Sequence, residues 1–264
     1  MITHFADLEL LTVSIEGVKQ CYAKRLQFPI LSESKDFIQF QLTPFTTLSF
    51  KEAFEPISPA HFAFQVPYSD FDEVAAFVQQ SGLLVLSQEQ GQYIDETNGR
   101  KNLYFRDGDG NLLEIIAHDY VNEDELKAFG MLQILYLREI GFPVDSVPNL
   151  REWLKSHFGM KTEKDQDIFN FVISGTAHAI VVSKQRPWIP IAMKALPPKM
   201  AVTFGTPNNN FINDLSKQMD HTFLDDSKKL FLSKDSYSFY MEHTPEFSAS
   251  MVENLNLPVV SHLT

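Results

Sequence analysis

The sequence contains a single cysteine, Cys21, among its 264 residues. One cysteine cannot form a disulfide within the chain, a zinc site with several thiolate ligands or an iron–sulfur cluster. Any metal bound by this chain would therefore have to be held by histidine and carboxylate side chains.

Basic residues and long apolar runs are also scarce. The chain has 22 Lys and Arg against 34 Asp and Glu, which gives a net charge of −12. Such a charge repels nucleic-acid phosphates and anionic lipid. No apolar run approaches the roughly 20 residues that a membrane-spanning helix needs, and the opening MITHFADLEL lacks the pattern of a signal peptide. We therefore expect a cytoplasmic protein without nucleic-acid or membrane partners. The sequence is compatible with either a monomer or a homodimer.

The sequence does contain a fourfold repeat. Four alternating apolar runs, LELLTV, HFAFQV, EIGFPV and KMAVTF, begin near residues 7, 61, 139 and 199. Each run predicts a strand, and each is followed by a segment of helical period and then by two or three shorter strand-like stretches. Helix-start residues in 121–135 interrupt the period and predict a linker helix. The sequence thus predicts an α+β protein with domains over residues 1–120 and 136–264.

Strand parity suggests a cluster of ligand-type side chains. In each strand the apolar residues alternate with the others, so Asp7, Glu9, His61 and Glu114 fall on the faces turned away from the helices. If the sheets curl, Asp7, His61 and Glu114 could converge and share a divalent ion such as Fe, Mn or Zn. The alternative is that these polar residues are simply solvated or hydrogen-bonded on the surface.

The repeat resembles the vicinal oxygen chelate superfamily, which includes glyoxalase I, extradiol ring-cleaving dioxygenases and bleomycin resistance proteins. The segments IEGVKQCYAKRLQF, HFAFQV and YFRDGDGNLLEI carry the resemblance. It covers most of residues 5–118 and, more faintly, residues 136–243. It implies tandem vicinal-oxygen-chelate domains built from paired βαβββ units, each a cupped mixed sheet with its helices outside.

The resemblance also implies roles for individual residues. It selects Asp7, His61 and Glu114 as metal ligands, and a fourth position of the family falls near Ser49, which is a poor ligand. Tyr104 stands ten residues before Glu114, where the extradiol enzymes have a tyrosine that hydrogen-bonds the substrate. Asp7 departs from the pattern, because those enzymes have a histidine there.

The second half departs further from the family pattern. Its corresponding positions are Glu139, Lys199 and Met241, which predicts a metal-free C-terminal half. We expect Lys199 there to form an ion pair with Glu139 or, as second candidate, with Glu242. The alternative is that Lys199, which follows Pro197 and Pro198 in a loop, simply reaches solvent.

Two kinds of function follow from the residues and the resemblance. The first is a metal-dependent dioxygenase, lyase or isomerase that binds a small-molecule substrate in the N-terminal cup, with Tyr104 and Glu9 as candidates for proton transfer. The alternative is a metal-free protein that sequesters a small molecule, as bleomycin resistance proteins do. A degenerate scaffold without a ligand is a third possibility. The altered ligand positions predict neither efficient glyoxalase I turnover nor strong catechol cleavage.

Overall fold

The computed structural model describes residues 1–88, 91–218, 223–224 and 229–258. It contains the four predicted units, which we call units 1 to 4 (residues 4–52, 61–118, 136–183 and 200–243). The strands and helices of units 1 and 2 are β1 (His4–Thr12), α1 (Ile15–Val18) continued by a π-helical stretch (Lys19–Arg25), β2 (Ile30–Glu33), β3 (Phe37–Thr43), β4 (Thr46–Glu52), β5 (His61–Gln65), α2 (Phe71–Gln80), β6 (Leu84–Val85), β7 (Ile94–Thr97), β8 (Arg100–Arg106) and β9 (Leu112–His118).

Units 3 and 4 again begin with a strand and a helix that are followed by further strands. An added hairpin follows unit 3, and an added helix follows unit 4. Their elements are β10 (Tyr136–Val144), α3 (Val147–Phe158), β11 (Phe169–Ser174), β12 (Ala177–Ser183), a hairpin of β13 (Pro187–Trp188) and β14 (Met193–Lys194), β15 (Met200–Thr206), α4 (Asn209–Gln218), β16 (Phe223–Leu224), β17 (Leu230–Lys234), β18 (Tyr237–His243) and α5 (Ala249–Asn254). The two ends of helix α3 follow from its flanking residues. The Ser146 hydroxyl caps its first turn, and Gly159 ends it in the left-handed conformation at φ 64°.

The units pair across the two halves of the chain. One eight-stranded sheet, the 1–4 sheet, has the order β16-β17-β18-β15-β1-β4-β3-β2, and the 2–3 sheet has the order β11-β12-β10-β5-β9-β8-β6, with β7 on β8. Within each sheet the two units are joined by an antiparallel strand pair, β1 with β15 in the 1–4 sheet and β5 with β10 in the 2–3 sheet. Residues 1–120 and 136–264 therefore do not each close a cup of their own. The α+β class and the paired βαβββ units predicted from the sequence are confirmed.

The predicted linker helix over residues 121–135 is wrong. This segment forms turns and one isolated bridge between Phe129 and Ile134. The acidic residues at its start do not begin a helix. Instead, the Glu123 carboxylate accepts hydrogen bonds from the backbone N–H groups of Tyr68 and Ser69. The apolar residues of the segment do not form one helical stripe: Val121, Leu126 and Leu135 pack in a cluster with helix α5, while Leu132 and Ile134 join the main core.

Parity correctly predicts which faces are buried against the helices. Phe62, Phe64 and Val66 are fully buried in an apolar cluster that includes residues of both sheets and of the helices. The opposite face of the same strand carries His61, Ala63 and Gln65, which leaves these side chains on the concave side of the 2–3 sheet. Among the described residues, no helix is long and apolar enough to cross a membrane.

Candidate metal centre

Three strands of the 2–3 sheet bring one ligand-type side chain each to the same place. Ala63 of β5 lies opposite Glu114 of β9 on one side and opposite Glu139 of β10 on the other. Residues opposite one another share a face, and His61 shares that face because it lies two residues from Ala63. The small Ala63 side chain leaves room between the two carboxylates.

The side-chain atoms of this triad are close enough to share an ion. The distance from His61 Nε2 is 3.8 Å to Glu114 Oε2 and 4.0 Å to Glu139 Oε2. One potential ligand atom from each residue lies within 4.8 Å of the other two. Within the described part of the chain, this is the grouping of three such residues that could hold a metal ion.

Hydrogen bonding orients His61 for ligation. Its Nδ1 lies 3.1 Å from the carbonyl oxygen of Leu112. A carbonyl only accepts, so Nδ1 carries the proton and the Nε2 lone pair faces the two glutamates. Burial lowers the pKa of His61 to about 4, so the imidazole is neutral at pH 7, as a metal ligand must be.

The two glutamates are held by different neighbours. Burial, followed by the nearby Glu139 charge, raises the pKa of Glu114 to about 8, while Asn102 Nδ2 donates to Glu114 Oε1 over 2.9 Å. Burial also raises the pKa of Glu139, and Arg138 Nε opposes this from 3.4 Å away. Two buried carboxylates in one place repel each other when both are ionised, and a divalent cation would relieve that repulsion.

Tyr104 and Trp188 border the triad. Tyr104 lies opposite Glu114 in the β8–β9 pair, and its hydroxyl accepts a hydrogen bond from Asn102 Nδ2 at 3.2 Å. The indole of Trp188 packs on His61 with the ring centroids 4.9 Å apart. Gly141 permits this approach, since a Cβ there would lie 2.7 Å from the Trp188 ring.

The sequence predicted Asp7 as the third ligand, and the structure corrects this. Asp7 lies in β1 of the 1–4 sheet, where its carboxylate accepts hydrogen bonds from Thr47 and Ser49. Glu9, the predicted proton-transfer candidate, lies in the same strand, opposite Ser49. Neither joins the triad, because unit 1 pairs with unit 4 rather than with unit 2. Glu139 takes the place that Asp7 was expected to fill.

The predicted ion pair of Lys199 is also wrong. Lys199 is exposed and its ammonium contacts Glu55, whereas Glu242 pairs with Lys229 at 2.9 Å. The sequence places Glu139 in this pair because it begins the run EIGFPV, which is the later part of β10 (Tyr136–Val144). That same position is the signal that could have identified it as a ligand once the pairing of units 2 and 3 was known.

The half-buried carboxyl group of Asp7 predicts a pH-dependent stability. Burial raises its pKa from 3.8 to about 6, against the opposing effect of the Thr47 and Ser49 hydrogen bonds. The folded state therefore holds this proton more tightly than the unfolded state, and the Asp7 contribution to stability falls as the pH rises from 3.8 to about 6.

An Asp7→Asn variant, whose Oδ1 can keep both hydrogen bonds, is expected to be more stable than the wild type by about 2 kcal/mol at pH 7. Urea unfolding at pH 4 and pH 7 measures this, and the gain should shrink at pH 4. An equal gain at both pH values would contradict the ionisation of Asp7 as its cause.

Comparison with known proteins supports the architecture. A scan against protein-family models gives no match, and a search of curated proteins gives none. Among solved structures, a Bacillus subtilis protein described as a "putative dioxygenase" matches with a TM-score of 0.66 at 12% identity, over 98% of this chain and 93% of that one. Glyoxalase I from Zea mays matches with a TM-score of 0.56 at 10% identity, over 90% and 91% of the two chains. The chain therefore has the glyoxalase and dioxygenase fold, the vicinal-oxygen-chelate fold that its sequence repeat predicts.

Proposed function

We propose that this chain is a divalent-metal-dependent enzyme that acts on a small oxygenated substrate at the concave face of the 2–3 sheet. The observation that carries this proposal is the convergence of His61, Glu114 and Glu139 within 4.8 Å. Burying two carboxylates side by side opposes folding, and a divalent cation is the group that offsets both charges.

The donor set fits such an ion. One neutral imidazole and two carboxylates suit Fe²⁺, Mn²⁺ or Zn²⁺, and three protein ligands leave coordination positions for two adjacent oxygens of a substrate. A bound ion would supply Lewis-acid stabilisation of negative charge that develops on those oxygens. Dioxygenation, lyase and isomerase chemistry are all compatible with this arrangement.

The surrounding residues hold the ligands and their protons in place. The Leu112 carbonyl fixes the His61 tautomer, and Asn102 orients Glu114. Burial raises the pKa of Tyr104, so its hydroxyl keeps its proton near neutral pH and acts as a hydrogen-bond donor rather than as a base. Trp188 covers His61 and keeps water away from that side of the site.

A titration with Mn²⁺ tests both the ion and its open positions. Water-proton relaxation is expected to report one tightly bound Mn²⁺ per chain with exchangeable water, since three protein ligands leave part of the coordination shell to solvent. Acetohydroxamate, a bidentate oxygen ligand, should then displace that water and lower the relaxation enhancement.

The competing outcome has a clear signature. If purified protein takes up no Fe²⁺, Mn²⁺ or Zn²⁺ at neutral pH yet binds apolar small molecules, the proposal is wrong and the chain is a metal-free sequestering protein.

The Asp72→Asn variant is a control for the metal titration, because Asp72 is exposed in the first turn of α2, where it pairs with Lys101 on the surface. That variant should bind Mn²⁺ as the wild type does.

A further inference from the structure

A cavity adjoins the triad on the concave face of the 2–3 sheet. It has a volume of about 360 Å³ and is bordered by Glu139. Its polar lining includes Arg100, Arg138, His118 and His178. Glu139 belongs to both the cavity and the triad, so a ligand in this cavity would meet the triad at Glu139.

Arg138 is the buried cation of this cavity, at 5% exposure. The other charged residues that line it away from the triad, Arg100, Glu163 and Lys164, are more exposed. Arg138 Nη1 donates to Gln65 Oε1 at 3.3 Å and its Nη2 donates to the Tyr120 hydroxyl at 2.9 Å. Both acceptors are neutral, and the charged partner of Arg138 among the described residues is Glu139, 3.4 Å from Nε.

The charge balance changes when the triad is occupied. A divalent ion would be matched by the two charges of Glu114 and Glu139. The buried Arg138 charge would then have no matching anion from the described residues, and leaving a buried cation unmatched is costly. An anionic group on the ligand would restore the balance.

Two further groups have unused hydrogen-bonding capacity at this cavity. The buried Nε of Arg100 has no hydrogen-bond partner, although its Nη2 pairs with Asp95 at 3.0 Å. His178 is 5% exposed and contacts the Phe171 ring, and it makes no hydrogen bond to the described residues. Buried polar groups are normally hydrogen-bonded, so these two point to a polar ligand.

The rest of the lining is mixed, with polar residues such as Gln166 and Asn170 beside an apolar part. Ile116, Phe169, Phe171 and Ile173 contribute aliphatic and aromatic surface to the same cavity. Such walls suit a compact hydrocarbon or aromatic body rather than a sugar or a free inorganic anion.

We propose that the site takes a small carboxylic acid with an apolar body, whose carboxylate is received by Arg138 and Arg100 while its two adjacent oxygens point to the triad. The direction of those oxygens rests on the proposed function. The preference for a carboxylate rests on it only in part, because Arg138 loses its matching anion when the ion binds, whereas the unpartnered Nε of Arg100 is present without an ion.

A matched pair of probes separates the two claims. The acid 3,4-dihydroxybenzoate and its amide, 3,4-dihydroxybenzamide, have the same shape and the same vicinal oxygens and differ in one negative charge. We expect the acid to bind at least about tenfold more tightly than the amide by isothermal titration calorimetry, the effect of one charge-assisted hydrogen bond. This ratio should be reached in protein loaded with Zn²⁺, which does no redox chemistry, and a smaller preference for the acid should remain in chelator-treated protein, where Glu139 still balances Arg138.

Variants assign the preference to the cavity. Arg138→Gln and the less buried Arg100→Gln should each lower the affinity for the acid about tenfold and change that for the amide less than twofold. Lys24→Gln, an exposed site in the π-helical stretch of unit 1, makes the same charge change and should alter neither. Far-UV circular dichroism and melting curves establish that each variant is folded, and Arg100→Gln keeps the test valid if Arg138→Gln does not fold.

The outcomes are distinguishable. A preference for the acid in protein that takes up no Zn²⁺ would refute the proposed function and leave the carboxylate site standing. Equal affinities for the two probes, or no binding of the acid at 10 mM, would overturn the carboxylate site whether or not Zn²⁺ is held. A preference that survives in both arginine variants would overturn it as well.

Discussion

A Glu139→Gln variant is expected to lose its divalent metal, with an affinity at least about a hundredfold lower than that of the wild type. Loss of a group that only supports a ligand costs ten- to a hundredfold in affinity, and removal of a charged ligand should cost more. Glu139 supplies one of three ligand atoms and one of two negative charges in the triad. Elemental analysis of protein purified without chelator, followed by competition with a fluorescent zinc indicator, measures the change.

Asp7→Asn is the matched control for that experiment. It removes the same charge by the same chemical change from a carboxylate that is half-buried and lies in the 1–4 sheet. We expect it to retain full metal content. Loss of metal in Asp7→Asn with retention in Glu139→Gln would show that the ion binds in the other cup and that the triad is not the metal centre.

The contact between units 1 and 3 predicts the largest effect on stability. Gly175 lies in the turn between β11 and β12 at φ 55°, and a Cβ there would lie 2.2 Å from the Thr3 carbonyl oxygen. That oxygen accepts a hydrogen bond from the Thr176 amide at 2.8 Å. Gly175→Ala should therefore lower the free energy of unfolding by about 3 kcal/mol or more, through backbone strain and a steric clash that only a backbone shift can relieve.

The Gly130→Ala variant measures the cost of backbone strain at a positive φ without a steric clash. Gly130 has φ 68° and nothing within 4 Å of the position that a Cβ would take. This variant should lose only about 1 kcal/mol, the cost of placing alanine in the left-handed region. Urea unfolding of both variants gives the comparison. Equal losses would mean that Gly175 does not approach Thr3, and the placement of unit 3 against unit 1 would be wrong.

Local patterns in the sequence predicted the local structure well. Alternation in HFAFQV correctly predicted which side of β5 packs in the apolar cluster with the helices and left His61 on the opposite, concave face. The Asp-Gly pairs of YFRDGDGNLLEI are typical of a hairpin turn, and they join β8 to β9. Such signals depend on residues near one another in the chain, so one sequence is enough to detect them.

The partner of each unit could not be predicted in the same way. A βαβββ unit leaves the outer edge of its first strand unpaired, and parity and periodicity are the same whichever unit covers that edge. Unit 2 could therefore pair with unit 1 or with unit 3. The first choice brings Asp7 to His61, and the second, which the structure shows, brings Glu139 there.

The helix prediction over residues 121–135 is wrong for a related reason. The acidic start of this segment has the pattern of a helix N-terminus, but Gly130 and Gln133 adopt positive φ values of 68° and 50°, which a continuous helix does not permit. Val121, Leu126 and Leu135 of the segment are buried in a cluster with α5, more than 100 residues later in the sequence. Tertiary packing of this kind overrides a local helix signal.

A crystal structure of the protein soaked with Mn²⁺, with anomalous scattering used to locate the ion, tests the central claim most directly. The account predicts one strong anomalous peak, at about 2.0 to 2.2 Å from His61 Nε2 and from one carboxylate oxygen each of Glu114 and Glu139. A strong peak beside Asp7 in the 1–4 sheet, or no peak at the triad at a Mn²⁺ concentration that saturates the protein in solution, would contradict it.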